Sequence, residues 1–138
     1  MEIIILITMI FCHIVDDYYL QGCLAKLKQK QWWKDNVDNY EMYKYDYIIA
    51  LIMHGFSWSF MIHLPLIWCA WNMDIIDTSF GLIFGMFIIL QAGIHAYIDN
   101  EKANKLSLCL MDDQLLHLIQ ITVSFIFFGF CFGLVRGY

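Results

Sequence analysis

Four long runs of apolar residues dominate this sequence. Each is close to the roughly 20 residues that an α-helix needs to cross the hydrocarbon core of a bilayer. We place the helices at residues 3–24, 48–71, 80–99 and 110–135. Only 15% of the 138 residues are charged and 61% are hydrophobic, whereas about 25% of a soluble domain is charged. The sequence therefore predicts an all-α protein, a four-transmembrane-helix bundle in which residues 1–138 form a single integral membrane domain.

A polar segment, residues 25–47, joins the first two predicted helices. It carries five lysines, two tryptophans and four tyrosines. Tryptophan, tyrosine and lysine are enriched where a protein meets the lipid headgroups. We therefore expect a polar or interfacial first loop, for example a helix lying in the membrane plane, with a disordered loop as the alternative.

The distribution of basic residues predicts an orientation. Four crossings place the first and third loops on one side of the membrane, and the second loop with both termini on the other. The first side holds seven lysines, whereas Arg136 is the only basic side chain on the second. Basic loops stay in the cytoplasm, so we expect the first and third loops inside and both termini outside. The net charge of −5 argues against a basic face for nucleic acid.

Histidine, aspartate and glutamine recur inside three of the predicted helices at helical spacing. Residues four apart lie on one face of a helix, so each set forms a polar stripe. Buried polar groups are unfavourable in lipid, so each needs a hydrogen-bonding or charged partner, or a functional role. The three sets are His13, Asp17 and Gln21; Gln91, His95 and Asp99; and Asp113, His117, Gln120 and Ser124.

Together with one histidine of the second helix, these stripes place seven ligand-type side chains in one layer near the lysine side. Single histidines in membrane helices often serve only as hydrogen-bonding residues. Three buried aspartates without a cation, however, would repel each other or take up protons. Imidazole and carboxylate groups bind divalent metal ions such as zinc, manganese or iron, and we predict one or two ions here. The seven residues are His13, Asp17, His54, His95, Asp99, Asp113 and His117.

Each of the two Asp-Asp pairs leaves a choice of ligand. Asp16 is three residues after His13 and could replace Asp17. Asp112 is five residues before its nearest histidine and points poorly toward it, so Asp113 is preferred.

His63 is an internal control for this interpretation. It lies nine residues after His54, which turns it to the opposite face of the helix and moves it about 13 Å along the axis. We expect it to lie outside the layer.

Two GxxxG spacings are also present, Gly81 to Gly85 and Gly129 to Gly133. This spacing lets helices approach closely and favours either packing within the bundle or a homo-oligomer.

At the same polar residues the chain resembles the domain-of-unknown-function family numbered 3307, a family of small bacterial and phage membrane proteins. The matching segments are HIVDDYYLQ from His13 to Gln21, the pair His54–Gly55, HAYIDNEK from His95 to Lys102, and DQLLH from Asp113 to His117. The chain departs from the family at Tyr18, where phenylalanine is usual, and in the lysine-rich stretch that follows. The resemblance implies a protein of the bacterial inner membrane, similar to small membrane proteins described as metal-dependent hydrolases.

These observations favour a membrane-embedded metal-dependent hydrolase that acts on a lipid or lipid-linked phosphate or ester at the cytoplasmic leaflet. An ion would activate water and polarise the scissile group, with a carboxylate that is not a ligand as general base. The expected catalytic carboxylates are Asp17, Asp99 and Asp113, and the expected substrate-binding residues are Gln21, Lys102 and Gln114.

Two other functions stay open. Intramembrane aspartates and histidines also mark proton or divalent-ion transporters and channels, although residues 3–11 and 80–90 are almost purely apolar. A non-enzymatic phage-type interaction protein would use the ion only as a structural link, with no open coordination position. Nucleophile motifs and glycine-rich phosphate loops do not occur, so serine-hydrolase and nucleotide-dependent functions have no support.

Overall fold

The computed structural model describes residues 2–133, and these residues form helices and connections with no strand. In chain order the helices are α1 (Glu2–Ile14), continued by a π-helix (Val15–Leu20), α2 (Leu24–Leu27), α3 (Lys30–Asn36), α4 (Tyr40–Tyr43), α5 (Asp46–Asn72), α6 (Thr78–Ala103) and α7 (Leu110–Cys131). Within this range, four helices are long and apolar enough to cross a membrane. The predicted all-α four-helix bundle is confirmed, and the chain is an integral membrane protein.

The helix ends differ from the predicted ones for local reasons. The first helix ends at Leu20 rather than at residue 24, because Gly22 adopts the left-handed region with φ +47°, where glycine ends helices without strain. The third begins two residues early, because the Asp77 carboxylate accepts a hydrogen bond from the Phe80 N–H at 2.7 Å. The fourth ends at Cys131. Its predicted end at residue 135, and Arg136, lie outside the described residues.

Helix α5 is the central helix, because it packs against α1, α6 and α7. Its closest approach to α6 is at Gly55, where an added Cβ would lie 2.5 Å from the Ala92 carbonyl oxygen. At Gly81 and Gly85 an added Cβ would meet no atom of the described chain within 4 Å. Gly55 therefore permits close packing inside the bundle, and the first GxxxG faces outward.

The first loop folds into the short helices α2 to α4 and is attached to the end of α6. The Asn104 side chain accepts a hydrogen bond from the Lys30 N–H at 2.6 Å and donates one to the Lys28 carbonyl oxygen at 3.0 Å. This double contact joins the first and third connections and brings Lys28 over the C-terminal end of α6.

Candidate metal centre

Imidazole and carboxylate groups from all four long helices meet at the end of the bundle that holds the first and third connections. Each lies at most 7% exposed. The structure brings together all seven residues expected in this layer and adds Asp16. We call the eight buried residues the polar cluster: His13, Asp16, Asp17, His54, His95, Asp99, Asp113 and His117.

Two groups of three residues within the polar cluster could hold a metal ion. Asp17, His54 and His95 form one group, and His95, Asp99 and His117 form the other, with the ligand atoms of each group within 4.8 Å of one another. In the first group His54 Nε2 lies 3.1 Å from Asp17 Oδ1 and 3.3 Å from His95 Nε2. In the second, His117 Nε2 lies 3.6 Å from Asp99 Oδ1. Both groups use His95, so they are overlapping choices for an ion rather than two independent sites.

Two buried atoms at the edge of the second group have the geometry of metal ligands. His117 Nε2 and Asp113 Oδ1 have no hydrogen-bond partner among residues 2–133, yet they lie 3.4 Å apart. Buried polar atoms without a partner are rare. Two ligands about 2.1 Å from a zinc ion in tetrahedral geometry are themselves about 3.4 Å apart. The spacing of this pair therefore fits a shared cation.

His13 lies beside the candidate ligands rather than among them. The Trp58 indole N–H donates to His13 Nδ1 at 2.8 Å, and because an indole can only donate, Nδ1 must accept. His13 Nε2 is then the protonated nitrogen and donates to Gln114 Oε1 at 3.1 Å. Neither ring nitrogen keeps a free lone pair, so the expectation that His13 is a ligand does not fit these contacts. The indole ring also stacks on His95 with a centroid distance of 4.1 Å.

The π-helix explains why Asp16 and Asp17 are both buried. Its wider turn is closed by the Gln21 N–H, which donates to the Asp16 carbonyl oxygen at 3.0 Å, and such turns are frequent at functional sites. Asp16 accepts a hydrogen bond from the Ser57 hydroxyl at 2.7 Å, and its other oxygen lies 3.5 Å from His54 Nδ1. Asp16 therefore lies next to Nδ1 of His54, whose Nε2 faces Asp17 and His95. A carboxylate in this position orients a metal-binding histidine.

The two aspartates of the second pair, Asp112 and Asp113, differ in burial. Asp113 is buried within the polar cluster, whereas Asp112 is exposed at the start of α7. There its carboxylate lies 3.4 Å from the Cys109 N–H. The preference for Asp113 over Asp112 agrees with these positions.

A chain of amide hydrogen bonds sets the orientation of His117. Gln120 Nε2 donates to Gln91 Oε1 at 2.7 Å, and Gln91 Nε2 donates to the Ser124 hydroxyl at 2.9 Å. The Gln120 side-chain oxygen Oε1 is thereby turned toward His117 Nδ1, 3.5 Å away. This arrangement favours the tautomer with the proton on Nδ1, which leaves the Nε2 lone pair directed at Asp99 and Asp113.

Two lysines neutralise part of the negative charge of the polar cluster. Lys28 Nζ lies 2.6 Å from Asp99 Oδ2, and Lys102 Nζ lies 2.5 Å from Asp113 Oδ2. With neutral imidazoles, the four aspartates of the cluster and these two ammonium groups have a formal charge of −2. The sequence offers the lysines of the first loop for phosphate binding but does not single out Lys28, because its partner lies 71 residues away in the sequence.

A small polar cavity of about 90 Å³ lies beside the cluster. It brings together the three residues expected to bind substrate. The Gln21 side chain donates to the Asp17 carbonyl oxygen, and its own Oε1 is buried without a partner in the described part of the chain. The lining includes Asp17, Gln21, Lys28, Asp99, Lys102 and Gln114.

His63 lies outside the polar cluster. Its ring is surrounded by Phe84, Phe87 and Phe128, with centroid distances of 5.6, 5.7 and 5.9 Å. Nδ1 lies 2.5 Å from the Ser59 carbonyl oxygen. The residue is fully buried even so, because the central helix α5 is covered on opposite faces.

Family models, curated proteins and solved structures give no match to this chain. Its resemblance to the domain-of-unknown-function family numbered 3307 stays a prediction that rests on four short motifs. The positions of these motifs are nevertheless informative, because all four contribute residues to the polar cluster or to the cavity beside it.

Proposed function

We propose that this chain is a membrane-embedded metal-dependent hydrolase that acts on a lipid or lipid-linked phosphate or ester. The observation that carries the proposal is the cavity, because it is lined by the candidate ligands Asp17 and Asp99 and by two lysines. A catalytic ion needs an open coordination position that substrate can reach, whereas a structural ion is enclosed by four protein ligands. A cavity that reaches candidate ligands supports the catalytic alternative.

The charge of the site supports one divalent ion rather than two. One ion would neutralise the formal charge of −2 carried by the four aspartates and two lysines. A second ion would leave an uncompensated positive charge in a buried layer, which is strongly unfavourable. The candidate ligands are those of the two overlapping groups, with Asp113 as a further oxygen ligand. The imidazole and carboxylate donors suit zinc, manganese or iron.

The roles of the surrounding residues follow from their positions. A bound divalent ion supplies a Lewis acid and lowers the pKa of a coordinated water molecule toward neutrality. Asp17 and Asp99 both line the cavity, and whichever of them does not bind the ion serves as general base. Lys28 and Lys102 hold a phosphate group as point charges, and Gln21 and Gln114 supply hydrogen bonds at the cavity wall.

The same proposal includes an orientation. Seven lysines lie in the first and third connections or at the adjoining end of α6, which supports a cytoplasmic position for this end of the bundle by the positive-inside rule. The cavity would then open at the cytoplasmic leaflet of a bacterial inner membrane, within reach of lipid headgroups. The outward-facing glycines Gly81 and Gly85 would be available for a homo-oligomer.

Transport of protons or divalent ions is the second candidate. It is favoured by Gln120, Gln91 and Ser124, which continue the polar side chains from the cluster toward the middle of the bundle. Beyond them the core residues are apolar, such as Phe80, Phe84 and Phe128, apart from His63. A polar region that is closed at one end supports chemistry over conduction. A purely structural ion in an interaction protein is the third candidate.

Elemental analysis and turnover assays on the purified protein test the proposal. We expect about one divalent ion per chain, and metal-dependent phosphate release from at least one member of a panel of lipid phosphates. Removal of the ion by a chelator should abolish release, and adding it back should restore release. If the protein contains a bound ion and shows no turnover, and if it conducts ions in liposomes, the results would favour the transporter. A tightly held ion with neither activity would favour the structural role.

A further inference from the structure

We propose that the cavity beside the polar cluster is a phosphate site that metal binding switches on. In this inference the ion displaces the Lys28 ammonium group from Asp99, and the freed lysine then binds a phosphate monoester or inorganic phosphate together with Lys102. The inference rests on the proposed metal site and adds a regulated order of binding, ion first and anion second.

The first step concerns one oxygen atom that a lysine and an ion would both use. Asp99 Oδ2 lies 2.6 Å from Lys28 Nζ, 3.5 Å from His54 Nε2 and 3.8 Å from His95 Nε2. An ion held between this oxygen and the imidazoles would bring two positive charges next to the ammonium group. Like charges repel strongly in a buried site, where the effective dielectric constant is low. The lysine and the ion therefore compete for the same carboxylate.

The second step is the movement of the displaced side chain. Lys28 is 13% exposed and already lines the cavity, so its flexible stem can turn into the cavity without moving the helices. Its backbone is held in place, because the Lys28 carbonyl oxygen accepts a hydrogen bond from Asn104 at 3.0 Å. The ammonium group changes partner while the loop stays attached to α6.

The third step is the change of electrostatic potential in the cavity. Without an ion, the four aspartates and two lysines have a formal charge of −2, and both ammonium groups are paired with carboxylates. A divalent ion neutralises this charge, and it frees one ammonium group on the wall of the cavity. An anion that was repelled is now attracted by a lysine and by the ion behind it.

The size of the cavity limits what can enter it. A volume of about 90 Å³ accommodates a few water molecules or one compact polyatomic group. We infer that a phosphate group enters while the remainder of any lipid stays outside. A lipid headgroup and free phosphate share this chemistry, and the experiment separates them.

Ion binding and phosphate binding must then favour each other to the same extent, because coupling between two ligands is reciprocal. We would strip the purified wild type in detergent with a chelator, load half of it with Zn²⁺, and remove the free ion. Calorimetric titration with inorganic phosphate should give about tenfold tighter binding to the loaded protein. Short-chain phosphatidic acid is titrated in parallel, and tighter binding of that lipid than of phosphate would identify a headgroup as the natural ligand.

The Lys28→Gln variant gives a result of opposite sign for the two ligands. Removing the competing ammonium group should tighten Zn²⁺ binding about fivefold. Most of the increase in phosphate affinity that Zn²⁺ loading gives the wild type should be lost. Lys26→Gln is the matched control, because Lys26 lies two residues away on the exposed side of the same loop. It should match the wild type for both ligands.

The results distinguish this inference from the proposed function. Weaker Zn²⁺ binding by Lys28→Gln, or equal phosphate affinity with and without the ion, would overturn the exchange of partners. If the wild type binds Zn²⁺ and releases phosphate from lipid while showing no coupling, only the inference fails. A wild type that binds no divalent ion overturns both.

Discussion

Two histidines of the central helix, His54 and His63, are both fully buried but have opposite surroundings. His54 Nε2 lies within 3.5 Å of Asp17, Asp99 and His95. His63 is enclosed by phenylalanine rings, and one of its nitrogens has no partner in the described part of the chain. Burial of a histidine in a membrane helix is therefore not evidence of a site. The evidence is the set of ligand-type groups that neighbouring helices bring to it.

This difference divides the bundle into two regions. At one end, the polar cluster combines imidazoles, carboxylates and lysines with a cavity. At the other, aromatic and aliphatic side chains fill the space between the same helices. If the division is functional, substitutions in the polar region should change metal binding, and substitutions in the apolar region should change only stability.

The largest contrast is expected between His54→Ala and His63→Ala. Loss of His54 removes an imidazole from a candidate ligand group and should weaken Zn²⁺ binding by at least about 100-fold, since even supporting residues behind the ligands contribute 10–100-fold. The His63 variant should bind Zn²⁺ as the wild type does. Competition with a chelating dye measures both, and equal affinities in the two variants would remove the distinction between the regions.

The next contrast concerns helix packing. Gly55→Ala places a methyl group against the Ala92 carbonyl oxygen and should destabilise the protein by about 2 kcal/mol, because overpacking displaces backbone. Gly85→Ala, on the outer surface of α6, should change the free energy of unfolding by less than about 0.5 kcal/mol. Unfolding in mixed micelles of increasing SDS content gives both values. A destabilised Gly85→Ala would instead indicate that this surface is covered in an oligomer.

A smaller effect is expected behind the ligands, at Gln120. Gln120→Leu removes the side-chain oxygen Oε1 that faces His117 Nδ1 and should weaken Zn²⁺ binding about tenfold, or about 1.4 kcal/mol, because the preferred tautomer is lost. Thr122→Val is the control on the same helix, since Thr122 is exposed and its hydroxyl donates to the Leu118 carbonyl oxygen. If Gln120→Leu keeps the affinity of the wild type, the amide chain serves packing alone.

The smallest contrast compares two serines of α5. Ser59 donates to the Ile88 carbonyl oxygen at 3.0 Å, and Ser59→Ala should lower stability by about 0.6 kcal/mol, the average for such hydrogen bonds in membranes, with unchanged Zn²⁺ affinity. Ser57 donates to Asp16, so Ser57→Ala should weaken Zn²⁺ binding a few-fold. A change in metal affinity for Ser59→Ala would contradict the division of the bundle.

The fold and the position of the polar layer could be predicted because lipid restricts the choices. A chain that crosses a bilayer has to be helical unless it forms a barrel, and helical spacing then assigns each polar residue to a face and a depth. His95, Asp99, Asp113 and His117 follow this rule directly, and the structure places them in one cluster.

The remaining features depend on contacts that spacing does not contain. Spacing offers Asp16 only as a replacement for Asp17, whereas the π-helix, which no pattern in the sequence predicts, buries both aspartates. Lys28 reaches Asp99 because a loop is attached to α6 through Asn104. Trp58 donates a hydrogen bond to His13, 45 residues away in the sequence, and thereby changes the role of that histidine.

The distribution of the candidate ligands over α1, α5, α6 and α7 also has a consequence for biosynthesis. When two helices have inserted, Asp17 can already meet His13 and His54, and His95 is the one remaining imidazole within 4 Å of it in the described residues. His95 and Asp99 arrive with the third helix, and His117 arrives only with the fourth. The second candidate ligand group, His95, Asp99 and His117, therefore cannot assemble before α7 is inserted, whereas the first group is complete once α6 is in place.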